Sequence, residues 1–476
     1  WMGDAGLSAA SLAIFFDTLA FQTNFLRLIK DAQQKGCTNQ PKTDNYGPCT
    51  APAGHEPATS WFNGSVPDVV PFSTGPYGSN PGTVDWQAAY VSVAHSLLRA
   101  SGKVAYPILE EIFDSLELLM GYFDKLADSS GLLLQGARGD WIPPSSQKVK
   151  TSSDIVAAFT HTLCVVHMLD ISTALGKSEA AANYRARLSQ NRFAFDRHFW
   201  NGGNASSSTP NPCCYGTGSQ ASNIFALLIG AVPVTRVSTT LQALMESFGD
   251  ASAPHLDVGI FGTTYVFDVL RAHDLEEMGL AILNQSSYPS FGKMISEGAT
   301  TLWESWEGDR HHQTVSRNHI MYGGGVNRFI AAAIGGLAPL DNGWERAHVK
   351  VAPWAIRHLQ QAGAERTNIR GKMYVSWHRR VSRGSRGAFV WQLELNVSLP
   401  NGMKAVIDLP LLEGARRALA GDCPLKCDSS LQSNALVSCM GYTVIGCREI
   451  PFTRGDRFLR INVGPGFHAF AVPEAL

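Results

Sequence analysis

The spacing of apolar residues changes character near residue 345, and that change limits the possible folds more than any other feature of the chain. From residue 4 to about 338, apolar residues recur mainly with helical spacing, in segments joined by loops rich in Gly, Pro and Ser. Such spacing lines up apolar side chains on one face of a helix. The clearest segments are 8–34, 86–100, 105–127, 154–176, 178–199, 219–230, 257–273 and 318–334. Many come in pairs with short connections, as in a toroid or barrel of helices. Beyond 345 the runs HVKVAPWA, MYVSWHRR, AFVWQLELNVSL, KAVIDLPLL and RFLRINVGPGFHAFAV alternate apolar and polar residues and are rich in Val. Period-two alternation with closely spaced turns reads as a small antiparallel β-sandwich. The expected fold is mainly α, with a helical domain over 1–345 and a β-sandwich domain over 346–476.

Charge narrows the partners. The 476 residues carry a net charge of -1 with a pI near 7.0, and no long basic run. An electrostatic case for nucleic acid is therefore absent. No uncharged stretch of about 20 apolar residues occurs, so no membrane span is expected. The expected partner is small and close to neutral.

Nine cysteines are more than a reduced cytosolic enzyme needs. Cys423, Cys427, Cys439 and Cys447 fall within 25 residues, and Cys37 and Cys49 bracket a segment rich in Pro, Gly and Asn. Zinc is the rival reading of the group of four, but its gaps of 3, 11 and 7 residues contain no CxxC pair and no histidine. Disulfides are the better reading. They imply an oxidising compartment, extracellular or the lumen of the secretory pathway. Asn-x-Ser sequons at Asn63, Asn204, Asn284 and Asn396 agree with that compartment. The odd cysteine count leaves at least one thiol free or paired outside the chain.

The stretch GATTLWESWEGD (298–309) places Glu304 and Glu307 three apart, each directly after a tryptophan. Other acids also sit beside indoles: Asp4 near Trp1, Asp85-Trp86 and Asp140-Trp141. Carboxylates accept protons from sugar hydroxyls, and indole faces cover the C–H surfaces of a sugar. Several such pairs at helix ends point to a carbohydrate site, whereas any one alone reads as a core indole beside a solvated acid. Glycoside hydrolysis needs two carboxyl groups on opposite sides of the bond, roughly 6.5–9.5 Å apart for inversion and about 5 Å apart for retention. On a plain helix, Glu304 and Glu307 would share one face and leave no room between them for that bond. Glu307 then reads as a rim or solvated residue, and the second carboxylate must come from elsewhere. The segment SRNHIMYGGGVNRFI (316–330) opens a helix with a polar cluster in which Ser316 is a candidate cap. His319 there is either a satisfied structural histidine or a site residue. No catalytic-serine, P-loop or HExxH signature is present.

GATTLWESWEGD followed by SRNHIMYGGGV resembles the signature of the α-L-rhamnosidases of glycoside hydrolase family 78, approximately GATT-[IL]-WE-x-W and then S-x-NH-x-x-x-G. WMGDAGLSA, DWQAAYVSV, the GDW at 139–141 and HLDVGIFGTTYVFDVL agree with further family segments in the same order. The match runs through 1–345, and the trailing β domain also fits. The resemblance implies an (α/α)6 barrel, with its first helix missing from this chain, and inverting hydrolysis of terminal α-L-rhamnosides without cofactor or metal. It makes Glu304 the general base and Asp4 the aspartate that binds the sugar and supports the acid. Trp1, Trp86, Trp141 and His319 would line the pocket with Asp140 near them, while Trp303 and Trp306 would hold the base. The implied partner is a rhamnose-containing glycoside or polysaccharide.

One departure from the family pattern is large. The family's general acid lies four residues ahead of the tryptophan that aligns with Trp1, so the acid is expected in an upstream part of the same polypeptide that also completes the barrel. Two departures are smaller: Asp257 stands where Thr is usual, and GGG occupies 323–325. A rival from another class is a catalytically silent carbohydrate-binding or structural glycoprotein on the same scaffold, which the sequence upstream of Trp1 would expose. A weaker rival is another (α/α)6 enzyme, a lyase or a hydrolase of a different sugar, which product analysis would separate.

Overall fold

The structure, a computed structural model, describes residues 1–33, 63–71, 81–202, 214–308, 316–368, 370–383, 389–411, 417–420, 423–426, 438–439, 442–449 and 457–473. Cys37, Cys49, Cys427 and Asn204 lie outside the described residues. The chain divides into two compact units. One comprises Trp1–Leu98, Lys103–Val269 and Ile282–Gly325; the other comprises Arg99–Gly102, Leu270–Ala281 and Val326–Leu476.

The first unit is built of helices. Tyr106–Leu126 opens with a proline in its first turn and buries Ile108, Leu109, Ile112, Phe113, Leu116, Leu119, Met120 and Phe123. Proline is tolerated there because its missing N–H would have no intrahelical partner. Ser153–Ala174 is long and apolar enough to cross a bilayer by composition, but most of it is buried inside the protein. Its Ile155, Val156, Phe159, Val165, Met168 and Ile171 are core residues. Ser178–Phe199 follows after a three-residue turn and packs against it as a helical hairpin. Ser219 caps the helix Gln220–Leu228, its hydroxyl accepting the Ser222 N–H at 3.2 Å.

Three expected helices are interrupted. Segment 8–34 forms two helices, Met2–Phe15 and Leu19–Ala32. At the break Phe16 is extended and the Asp17 carboxylate accepts the Leu19 N–H at 3.1 Å. A short acidic side chain bonding to nearby backbone competes with helix continuation. Segment 86–100 forms Val84–Gln87 and then Ala89–Ser101. Segment 318–334 forms a 3-10 turn, Ile320–Gly323, and then the helix Val326–Ala333. The glycines at the join allow close packing: a Cβ on Gly324 would stand 2.3 Å from the Leu7 carbonyl oxygen. Helices at Val234–Ser247, Glu276–Leu283 and Phe291–Ser296 add to the expected set.

The second unit holds two six-stranded sheets. The strands are β1 (Leu337–Pro339), β2 (Arg346–Lys350), β3 (Gln361–Asn368), β4 (Gly371–Arg383), β5 (Phe389–Leu399), β6 (Lys404–Leu411), β7 (Arg417–Ala420), β8 (Cys423–Lys426), β9 (Ser438–Cys439), β10 (Tyr442–Glu449), β11 (Arg457–Val463) and β12 (Gly466–Pro473). Their orders are β1-β2-β6-β11-β10-β9 and β3-β4-β5-β12-β7-β8. The β-sandwich expected from the alternating runs is therefore present. Among the described pairings, β2 with β6 is parallel and the rest are antiparallel. Met373, Val375 and Trp377 on β4 face the core with Leu393, Leu395 and Val397 on β5, as period-two alternation requires. The edge strand β3 escapes that signal because none of its residues is buried. Asp408 on β6 is fully buried, accepting two hydrogen bonds from Arg460 (2.6 and 2.7 Å) and lying 3.0 Å from His348 Nε2.

Candidate active site

Asp4 sits in the first turn of the helix Met2–Phe15, and Glu304 sits at a bend in GATTLWESWEGD. That segment is not helical. Glu304 N–H donates to the Ser316 carbonyl at 2.9 Å, and His319 N–H donates to the Leu302 carbonyl at 2.7 Å. The two strips of backbone thus lie side by side, and Ser316 N–H also donates to Glu304 Oε2 at 2.7 Å. The pairing brings His319 beside Glu304 although 15 positions separate them in sequence. The His319 ring stands between two carboxylates: Nε2 is 3.4 Å from Asp4 Oδ1, and Nδ1 is 3.8 Å from Glu304 Oε2. The side chains of Asp4, Glu304 and His319 are 28%, 18% and 13% exposed, so solvent or a ligand can reach all three.

Glu307 has a different environment from Glu304. Its carboxylate accepts hydrogen bonds from the Tyr288 hydroxyl, the Ser305 hydroxyl and the Ser145 N–H. Burial works against its charge, but these bonds outweigh burial and bring its pKa down to about 2. Its expected place as a solvated rim residue is not what the fold gives it. The path of 302–307 brings its side chain to the Ser145 N–H of the segment after Trp141, and the Tyr288 and Ser305 hydroxyls complete its partners.

Asp140 faces a helix end. Oδ1 accepts the N–H groups of Phe261 and Gly262 at 2.9 and 3.0 Å, and Oδ2 accepts that of Gly259 at 2.7 Å. These groups open the helix Ile260–Ala272, whose first N–H groups lack intrahelical partners. Burial pushes the Asp140 carboxyl up to about 6, against the pull of those three bonds. Gly259 is required for the approach, since a Cβ there would meet the Trp141 and Asp140 carbonyl oxygens at 2.3 and 2.4 Å. Asp85 is also buried. Its Oδ2 accepts the N–H groups of Arg138 and Gly139 at 2.7 and 3.3 Å, and burial pushes it up to about 6.

The indoles divide by exposure. Trp1 and Trp141 are 48% and 37% exposed, whereas Trp86, Trp303 and Trp306 are buried. Trp86 meets Trp141 edge to face at 6.3 Å. Trp306 donates to the Val258 carbonyl at 3.0 Å and packs edge to face against Tyr322 at 5.1 Å. Asp257 accepts the Lys148 N–H at 2.9 Å, so this departure from the family pattern is used to hold a loop.

Two groups near the indoles escaped sequence reasoning. The Arg138 guanidinium lies 5.2 Å from the Trp86 ring centre and 6.0 Å from that of Trp141, and pairs with the fully buried Asp68 at 2.5 Å. Tyr322 donates its hydroxyl to the Ile142 carbonyl at 2.5 Å. Arg138 directly precedes the GDW run, and Tyr322 lies within SRNHIMYGGGV, so adjacency to those motifs was the available signal.

A helical body that gathers carboxylates and indoles in this way has the six-hairpin glycosidase fold. Residues 1–334 match the family model described as the bacterial alpha-L-rhamnosidase 6 hairpin glycosidase domain, and residues 336–421 match the bacterial alpha-L-rhamnosidase C-terminal domain. The chain belongs to the bacterial α-L-rhamnosidase family of six-hairpin glycosidases. An α-L-rhamnosidase of Streptomyces avermitilis is 26% identical over 425 residues, covering 86% of this chain and 35% of the relative. One of Formosa agariphila is 24% identical over 392 residues, covering 80% and 39%. The chain thus spans well under half the length of the curated relatives it matches. Among solved structures, the α-L-rhamnosidase of Dictyoglumus thermophilum has a TM-score of 0.76 at 26% identity, covering 100% of this chain and 46% of that one. The Streptomyces avermitilis α-L-rhamnosidase complexed with L-rhamnose has a TM-score of 0.73 at 22% identity, covering 99% and 38%, a likeness of fold.

Proposed function

We propose that the protein containing this chain removes terminal, non-reducing α-L-rhamnose residues from glycosides or polysaccharides, with inversion. The observation that carries the reading is the Asp4–His319–Glu304 cluster, formed by residues that also match the family motif. Relatives across most of the chain are α-L-rhamnosidases, and one solved relative holds L-rhamnose.

In this mechanism Glu304 takes a proton from a water molecule as that water attacks the anomeric carbon. The glycosidic bond breaks on the opposite side, and its oxygen takes a proton from a carboxylic acid expected ahead of Trp1. Asp4 accepts a sugar hydroxyl and supports that acid. His319 lines the pocket within reach of Asp4 and Glu304, and Trp1 and Trp141 offer indole faces to the sugar ring. Trp86 is buried and backs Trp141; Asp140 acts by holding the helix end beside Trp141. Glu307 is excluded as the base because a carboxylate with a pKa near 2 has little affinity for a proton.

The reading extends to compartment. Cys214 takes part in a disulfide, which supports an oxidising environment, and the sequon residue Asn284 is exposed. The protein is therefore read as a secreted, disulfide-bonded glycoprotein. Intact mass before and after reduction and deglycosylation tests this, and a fully reduced, unmodified native protein would overturn it.

The deciding experiment is hydrolysis of p-nitrophenyl α-L-rhamnoside by the full polypeptide, including its residues ahead of Trp1, followed by NMR. Release of β-L-rhamnose as the first anomer supports the reading. No release of p-nitrophenol overturns the activity, and α-L-rhamnose as the first anomer overturns inversion.

A further inference from the structure

We propose that Tyr322, helped by Glu307, is a positioning residue that clamps the segment carrying Trp141 and so fixes that indole as a wall of the sugar site. The role of the wall rests on the rhamnosidase reading; the clamp itself does not.

The segment after Trp141 has an unusual backbone. Ile142 has φ +52, in the left-handed region that β-branched residues almost never occupy. Such a conformation persists only where surrounding contacts over-determine it. Here the contacts come from four directions. The Ile142 carbonyl accepts the Tyr322 hydroxyl at 2.5 Å. The Trp141 carbonyl accepts the Ile260 N–H at 3.0 Å. The Ser145 N–H donates to Glu307, and the Lys148 N–H donates to Asp257 at 2.9 Å. Tyr322 can hold its end because its ring is fully buried and wedged against Trp306, which Phe291 supports at 5.3 Å on another side.

The clamp has a functional direction. Tyr322 lies three residues after His319, within the 3-10 turn Ile320–Gly323. Glu307 lies three residues after Glu304. The two clamp residues are thus carried by the same two backbone strips that hold the proposed base and its histidine. A single rigid unit therefore sets the distance between the Glu304–His319 pair and the exposed Trp141 face. A fixed aromatic wall loses little freedom when a sugar binds.

The test uses Tyr322→Phe, which removes one hydroxyl and keeps the ring in its packing. Hydrogen–deuterium exchange of the peptide spanning 139–148 should quicken, because Ile142 is released toward ordinary backbone angles. KM for p-nitrophenyl α-L-rhamnoside should rise about fivefold, the size of one neutral hydrogen bond, with kcat within about twofold of wild type. Adding Ile142→Asn to Tyr322→Phe should return KM most of the way, because asparagine accepts the left-handed region. Unchanged exchange in Tyr322→Phe overturns the clamp. Faster exchange with an unchanged KM, or an equal fall in kcat with no rescue by Ile142→Asn, overturns its positioning role. If the wild type cleaves no rhamnoside, the rhamnosidase reading fails by itself and the exchange arm still decides the clamp.

Discussion

Asp4 and Glu304 face one another across a single imidazole: His319 Nε2 is 3.4 Å from Asp4 Oδ1, and His319 Nδ1 is 3.8 Å from Glu304 Oε2. Three hundred positions separate the two acids in sequence. What joins them is the 3-10 turn Ile320–Gly323, which packs on the helix Met2–Phe15 with the Ser11 hydroxyl 3.3 Å from the Gly323 carbonyl. A neutral ring can donate to only one of the two carboxylates at a time, whereas an imidazolium donates to both.

Glu304→Gln keeps the shape of the side chain and removes its ability to take a proton. Loss of a general base lowers the rate by about 10²–10⁴. The full polypeptide carrying this change should hydrolyse p-nitrophenyl α-L-rhamnoside slower by that order, with an unaltered circular dichroism spectrum. Near-normal turnover would remove Glu304 from the role.

His319→Ala takes away the group between Asp4 and Glu304. A hydrogen bond to a charged group contributes about 1.5–3 kcal/mol, equivalent to about 10- to 150-fold in kcat/KM. Steady-state kinetics should show a loss in that range. A change smaller than about threefold would mean that the ring is structural and makes no contact that matters to the reaction.

Glu307 predicts an acid dependence of stability. Its folded pKa, about 2, lies below the ordinary glutamate value, so its contribution is fully present above that ordinary value. The contribution fades as pH falls from about 4.3 toward about 2. The difference in Tm between wild type and Glu307→Gln should therefore be constant from pH 7 to pH 5 and narrow below that. A gap independent of pH down to about 3 would contradict the anchored carboxylate.

In the β unit, Asp408→Ala strips the buried carboxylate from Arg460 and His348. The partly exposed Arg460 and the His348 ring then lose a charged partner, and a lost hydrogen bond to a charged group costs about 1.5–3 kcal/mol. Thermal unfolding should show a large fall in the Tm of that unit. A Tm within a degree of wild type would show that water replaces the carboxylate.

Much of the architecture was legible because it rests on local periodicity. The burial of Ile108, Ile112, Leu116, Leu119 and Phe123 along one helix repeats the spacing seen in the sequence, and so does the alternation of Met373, Val375 and Trp377 on β4. The breaks were less legible. Asp17 and Gly324 interrupt apolar patterns that read as continuous, because a side-chain hydrogen bond in one case and a close backbone approach in the other override helical preference. β3 was missed because an edge strand without buried residues carries no alternation to read. At the site, the fold brings Glu304, Asp4 and His319 together. Arg138 and Tyr322 were overlooked because a residue's partners across the fold leave no trace in its immediate neighbours.

The sequence by itself determined the two kinds of secondary structure and the family to which the motif points. These depend on neighbours within a few positions, where side-chain spacing and backbone geometry act directly. Only the tertiary structure decided which partners each carboxylate of GATTLWESWEGD meets. Glu304 and Glu307 sit in nearly identical local sequence. One meets His319 and the Ser316 N–H, the other meets Tyr288, Ser305 and Ser145. Most of those partners come from elsewhere in the chain, and the proton affinity of a carboxylate is set by its partners and its burial, not by the residues beside it.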